Sequence, residues 1–376
     1  MIKAGIYIHI PFCKVKCIYC DYYSIIKQEK DMSNFVDMLI REIEMTALNY
    51  KDNWTFDTIF FGGGTPSLME PIWMEKILQT LDHFFNFSTE MEITLEANPG
   101  EAPIKKLKEF HKIGINRLSL GFQSLQKDLL TSLSRIHSIK DCFDTFNNAR
   151  NAGFENINVD MLFNIPRQST EIFQDDMKKI IKLEPEHISA YSLTVERNTP
   201  LFTNIRDGMI TMPSEKIDLE MFEFCQNYLD SVDFNQYEIS SYAKPDMECR
   251  HNLHYWNLEP YLAFGPSAHG YDGHNRWWNT PSFDIYMQML SRNEIPITGS
   301  EKLSQRDHFN EVILNGLRTR GGIQLRKIHA WKMNPTIMNP TILKWKSKLD
   351  VTEDTISLKS NSYKYADEIA SDMLQT

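Results

Sequence analysis

The chain has 376 residues, 42% of them hydrophobic and 24% charged, with a formal net charge of −10 at pH 7. This is the composition of a soluble globular protein, long enough for two domains or one large domain with an appendage. An acidic chain without a Lys/Arg run has no extended basic face for nucleic acid, and no apolar run approaches the ~20 residues that span a bilayer.

The N-terminus, MIKAGIYIHIPF, lacks the apolar core and small-residue cleavage site of a secretory signal. The expectation is a cytoplasmic protein without a transmembrane segment, whose contact with a membrane is local and transient. GIYIHI predicts a first strand and is followed at once by three cysteines, Cys13, Cys17 and Cys20. A structural zinc site takes four ligands. Only three thiols are local, and His9 sits in the strand. A redox pair of Cys17 and Cys20 leaves Cys13 without a role. A four-iron cluster held by three thiolates keeps one iron open for another ligand. The remaining cysteines, Cys142, Cys225 and Cys249, are scattered and read as buried or inert thiols.

Five more β-rich apolar runs follow in order: DTIFFGG, EITLEANP, RLSLGFQS, INVDMLFNIP and HISAYSLTV. Segments with helical apolar spacing separate them, among them SNFVDMLIREIEMTAL and IWMEKILQTLDHFF. Alternating strands and helices predict an α/β fold with a parallel sheet and right-handed crossovers. Polar residues gather near the C-terminal ends of these strands, where barrel chemistry sits. GGGTPS follows the second, Glu96 ends the third, Gln123 follows the fourth, and Asp160 lies in the fifth. The triple glycine lacks the Lys-Ser/Thr of a P-loop and is not G-x-G-x-x-G. After Trp278 the pattern changes. DHFNEVILNGLRT reads as a helix broken by Gly321-Gly322, and ILKWKSKLDVTEDTISLKSNSYKYADEIASDML as helix, two-stranded hairpin and helix. MNPTIMNPTI is a five-residue duplication whose Asn-Pro steps disfavour a helix, so it is predicted to be a loop insertion without assigned function.

C-x3-C-x2-C resembles the signature of the radical S-adenosylmethionine (SAM) superfamily, reinforced by Tyr19 inside the loop. YIHIPFC, FGGGTPS, LEANPG, LSLGFQS, SRIHS and NVDMLFNIP together resemble the oxygen-independent coproporphyrinogen III oxidase family, in order from about residue 5 to about residue 270. The resemblance implies a partial (β/α)6 TIM-like barrel over 1–235, a flanking segment over 236–300 and a smaller winged-helix-like α+β domain over 301–376. It implies a [4Fe-4S] cluster on Cys13, Cys17 and Cys20, supplied by an electron donor. In the superfamily the open iron chelates SAM, and reductive cleavage of its sulfonium releases a 5′-deoxyadenosyl radical. Tyr7 and Tyr19 are implied to lie beside SAM, with Gly63, Gly64 and Thr65 along its methionine part. Glu96, Gln123, Arg135 and Asp160 are implied to contact its polar groups.

The family has two branches. The oxidase branch, an enzyme of porphyrin biosynthesis, carries a fourth cysteine where this chain has Tyr22, and a long N-terminal extension where this chain has twelve residues before Cys13. The haem-chaperone (HemW) branch carries H-N-L-x-Y-W, which RHNLHYW resembles here. That resemblance implies haem contacts at His251, Asn252, Tyr255 and Trp256, with His254 a weaker candidate, and transfer of haem to haem-dependent proteins such as respiratory enzymes. Imidazole is a common haem ligand and the aromatic pair offers flat apolar surface. The competing expectation is coproporphyrinogen III oxidation.

Overall fold

A computed structural model describes residues 2–26, 29–50 and 54–375. Strands β1 (Ile2–Ile10), β2 (Trp54–Gly63), β3 (Asn86–Ala97), β4 (Arg117–Gln123), β5 (Asn156–Phe163) and β6 (His187–Ser192) pair in sequence order, all parallel. Helices α1 (Glu29–Tyr50), α2 (Pro71–Phe84), α3 (Ile104–Lys112), α4 (Lys127–Ser132), α5 (Ile139–Ala152) and α6 (Thr170–Ile181) occupy the crossovers. Each of the six apolar runs falls on one of these strands. Both faces of the strands are covered, which is why they read as continuous apolar runs. In β4 every residue before Gln123 is buried.

Local chemistry sets the helix ends. α5 opens with a capping box between Ser138 and Asp141 and closes on Gly153, whose φ of +105° suits glycine at a helix end. Ile6, Ile8 and Ile10 of β1 share one core with Phe35, Leu39 and Ile43 of α1. The alternate residues Gly5, Tyr7 and His9 therefore face the barrel interior. A fully buried carboxyl, Glu42, joins α1 to the far part of the chain. It accepts from the Tyr286 hydroxyl at 2.5 Å, the Asn279 amide at 2.6 Å and the Gly265 N–H at 2.9 Å. Burial pushes it up to about 7 against the pull of these three bonds.

The sheet does not stop at six strands. After α7 (Pro200–Arg206) and α8 (Glu215–Asp230), β7 (Asn235–Gln236) and β8 (Ser241–Ala243) extend the β6 edge in antiparallel fashion. The short helix α9 (Arg250–Trp256) then leads to β9 (Tyr261–Phe264), which adds parallel to β1. Strands β10 (His269–Tyr271), β11 (Asn275–Asn279) and, after α10 (Phe283–Ser291), β12 (Ile297–Lys302) continue that edge. The result is a twelve-stranded open sheet with β12 and β7 at its ends.

The C-terminal unit has its own core, including Phe309, Ile313, Leu317, Ile356 and Ile369. It contains α11 (Gln305–Arg318), β13 (Ile323–Gln324), α12 (Leu325–Ala330), α13 (Asn339–Lys344), β14 (Leu349–Val351), β15 (Thr355–Leu358) and α14 (Ala366–Met373). Its strands form a three-stranded sheet in the order β13-β15-β14. The duplication is not the predicted loop. Residues Pro335–Met338 form a 3-10 turn and α13 begins directly after it. Each proline lies in the first turn of its helix, where the missing N–H has no partner to lose, and the Asn334 side chain accepts from the Thr336 N–H at 3.0 Å. Among the described residues no helix is long and apolar enough to cross a membrane.

Candidate functional site

Parallel strands place their C-terminal ends on one edge, and the cysteine loop leaves β1 at that edge. The base of the loop is pinned by backbone bonds: Cys13 N–H to the Ile25 carbonyl at 3.0 Å, and Ile25 N–H to the Pro11 carbonyl at 2.7 Å. Ile18 and Tyr19 pack on a small apolar cluster that includes Leu129, Leu133 and Leu201. The three thiols are free and half-buried. Burial pushes the Cys20 thiol up to about 11 and raises that of Cys13. A metal must therefore displace protons to bind there.

A polar chain joins two of the thiols. The Thr65 hydroxyl donates to Cys13 Sγ at 3.6 Å and accepts from Asn98 Nδ2 at 2.9 Å. Asn98 Oδ1 accepts from Arg135 Nη2 at 2.6 Å, and Arg135 Nη1 reaches Cys17 Sγ at 3.7 Å. Arg135 also donates to the Gly121 carbonyl at 2.6 Å. Its guanidinium is thus committed to the loop and the β4 end. Asn98 lies inside LEANPG, but nothing local marks its role, which depends on partners 33 and 37 residues away.

The glycines after β2 serve close backbone approach. A Cβ on Gly64 would meet the Phe12 carbonyl oxygen at 2.6 Å, and one on Gly63, whose φ is +105°, would meet the His9 ring at 2.5 Å. His9 bridges the Tyr7 hydroxyl at 3.1 Å and the Tyr23 carbonyl at 2.8 Å, tying the strand to the loop. Glu96 Oε2 accepts from the Gly63 N–H at 3.1 Å. Burial, then the nearby Asp160 carboxylate, pushes Glu96 up to about 8. Asp160 accepts from Ser119 at 3.0 Å and Asn158 at 2.7 Å, and burial raises it as well. Two interior carboxyls held this way suit an arriving cation, which lets both ionise. Gln123 closes β4 at a register shift, with φ of +66°.

The RHNLHYW residues lie elsewhere. They form α9, which packs on β1 and β2. Glu92 Oε2 accepts from the Arg250 N–H and its Oε1 from the His251 N–H, each at 3.0 Å. His251 is fully buried. Its Nδ1 bonds the Thr58 hydroxyl at 2.8 Å and its Nε2 the Tyr255 hydroxyl at 2.8 Å. The ring stacks on Phe60 and Tyr7 at centroid distances of 5.2 and 6.4 Å. Neither nitrogen faces open space, so iron ligation by His251 requires one of these bonds to break. Asp57, also buried, receives Lys3 at 2.8 Å, Arg250 at 2.6 Å and His254 at 2.7 Å, and His254 contacts Glu259 at 2.6 Å on its other side.

Residues 7–180 match the radical SAM superfamily model. The chain is 33% identical over 341 residues to the heme chaperone HemW of Bacillus subtilis (strain 168), across 90% of this chain and 89% of that protein. It is 35% identical over 330 residues to the mitochondrial radical S-adenosyl methionine domain-containing protein 1 of Danio rerio, across 86% of this chain and 74% of that protein. The chain belongs to the HemW family of radical SAM proteins. Its fold is that of the solved coproporphyrinogen III oxidase HemN of Escherichia coli, with a TM-score of 0.85 over 99% of this chain and 90% of that one, at 21% identity. The architecture is therefore the partial (β/α)6 TIM-like barrel with a smaller C-terminal α+β unit. HemW-family membership in this superfamily carries a [4Fe-4S] cluster and SAM. The residues fit them: three free thiols share one loop, donors from Thr65 and Arg135 face two of the sulfurs, and buried carboxyls lie behind.

Proposed function

We propose that this chain is a haem chaperone that binds haem and hands it to haem-dependent proteins. The likeness to a curated heme chaperone over nine-tenths of the chain carries this reading. Cys13, Cys17 and Cys20 hold the cluster, which when bound supplies an open iron and one-electron reduction. Tyr7, Tyr19, Gly63, Gly64, Thr65, Glu96, Gln123, Arg135 and Asp160 hold SAM at the mouth. In this arrangement Arg135 and Thr65 steady the thiolates by donating to Cys17 and Cys13. Glu96 and Asp160, both pushed up by burial, would ionise more readily beside a bound cationic group. Haem is taken by the 236–300 segment through the RHNLHYW residues and passed to haem-dependent proteins, while the 301–376 unit packs against a partner or serves as a lid.

The test uses anaerobically reconstituted protein with SAM. Haem added in increments is expected to give a saturable change in visible absorbance, and the loaded protein to pass haem to an apo-haem-protein. Coproporphyrinogen III in the same mixture is expected to remain unchanged. Formation of protoporphyrinogen, or no saturable haem binding, overturns the reading.

A further inference from the structure

An aromatic-walled cavity lies away from the cysteine loop. It has a volume of about 220 Å³ and is lined by Tyr255, Trp256, Tyr261, Tyr271, Arg276 and Asn315. β9 runs parallel to β1 with Tyr261 opposite Gly5, whereas the cysteine loop departs after Ile10. Five strand residues at ~3.3 Å each put about 17 Å between the two levels. The cavity thus lies toward the N-terminal ends of the strands, beside α9, the β9–β11 edge and α11.

Its chemistry is specific. Tyr255 and Tyr261 meet edge to face at 4.6 Å, and Tyr271 lies 6.1 Å beyond. Arg276 stands 5.6 Å over the Tyr271 ring and pairs with Glu311 at 3.0 Å and Glu301 at 3.5 Å. The Glu301 side chain is half exposed, so an incoming carboxylate can take its place on the guanidinium while Glu311 stays. Flat apolar walls with one guanidinium at the rim match a planar macrocycle bearing carboxylates. The volume is below the ~300–1,000 Å³ usual for a whole ligand, so it takes one edge of the ring and leaves the carboxylates outside.

We infer that the haem of the proposed chaperone seats its porphyrin edge in this cavity with a propionate on Arg276, at the opposite end of the barrel from the cluster. This rests on the haem-chaperone reading and specifies its site. His251 is then a positioning residue: it does not reach the cavity, but its Nε2 fixes the Tyr255 hydroxyl, and Tyr255 forms a wall. The Asn315 amide, which donates to the Tyr255 carbonyl at 3.2 Å, supports the same wall from α11.

Haem and metal-free protoporphyrin IX are titrated into the wild type, Arg276→Met, Asn315→Trp and His251→Ala, with circular dichroism and iron content as controls for folding and cluster loading. Losing a charge-assisted contact or filling the cavity is expected to weaken both macrocycles about tenfold or more. His251→Ala is expected to weaken both to the same degree, because no iron bond is lost. Unchanged binding in Arg276→Met and Asn315→Trp overturns the site while leaving the chaperone reading intact. A His251→Ala defect confined to haem overturns the positioning role. A wild type that binds neither macrocycle overturns the chaperone reading itself.

Discussion

Alanine in place of Cys17 removes the iron and sulfide from anaerobically reconstituted protein and leaves the fold as it was. Cys17 lies on a loop whose base is held by the Cys13, Ile25 and Pro11 backbone and whose Ile18 carbonyl accepts the Leu201 N–H at 2.9 Å. Its thiol is half-buried and contributes nothing to the apolar core. Thermal stability of the unreconstituted variant should match the wild type within about 0.5 kcal/mol, as for other substitutions outside the core. The same holds for Cys13→Ala and Cys20→Ala. Cys225→Ala gives the opposite pattern. That thiol is buried in the main core, so the change keeps the iron and costs about 1 kcal/mol. Iron and sulfide analysis beside a melting curve reads both effects; iron retained in Cys17→Ala removes the cluster assignment.

Asp57→Ala destabilises the protein by about 3 kcal/mol, the lower end of the range for breaking a buried ion pair. Asp57 is 1% exposed, and the imidazole of His254 is buried with it. The Lys3 and Arg250 side chains are partly exposed and contribute less. Burial acts to raise Asp57, but the His254, Lys3 and Arg250 bonds win and hold it well below the usual carboxylate range. That stability is present above the unfolded value of ~3.9 and is lost as pH falls through the folded one. His254 moves the other way. Burial acts to lower it, but Asp57 and Glu259 outweigh burial and raise it. Its contribution is complete below ~6.5 and disappears as pH rises through the folded value. Urea unfolding followed across pH should show greatest stability between ~4 and ~6.5 from this group, and Asp57→Ala should flatten both flanks. Unchanged pH dependence in the variant contradicts the assignment.

What was legible in the sequence is what local pattern encodes. The cysteine spacing, the six buried strands and the GGGTPS turn each announce themselves within a dozen residues. The β9–β12 edge did not, because β9 and β10 are only four and three residues long, β11 carries Asn, Arg and Trp, and β12 (ITGSEK) is polar and largely exposed. Taken alone, a histidine beside aromatics such as His251 reads as packed, and only the resemblance makes it a haem contact; the partners that pack it come from β2 and β3. The bonds Asp57–Arg250, Thr58–His251 and Glu92–His251 span 193, 193 and 159 residues, and no local periodicity predicts them. The MNPTI repeat misled for a related reason. Asn-Pro disfavours a helix running through it but favours one starting there, and only packing of Met338 and Thr341 selects the second.

The electron paramagnetic resonance spectrum of the reduced, anaerobic protein, recorded before and after adding SAM, bears most directly on the account. Three thiolates with one open iron predict a four-iron signal whose shape changes when SAM coordinates. A signal that ignores SAM, or iron-free protein carrying a single tetrahedral zinc on Cys13, Cys17 and Cys20, contradicts it.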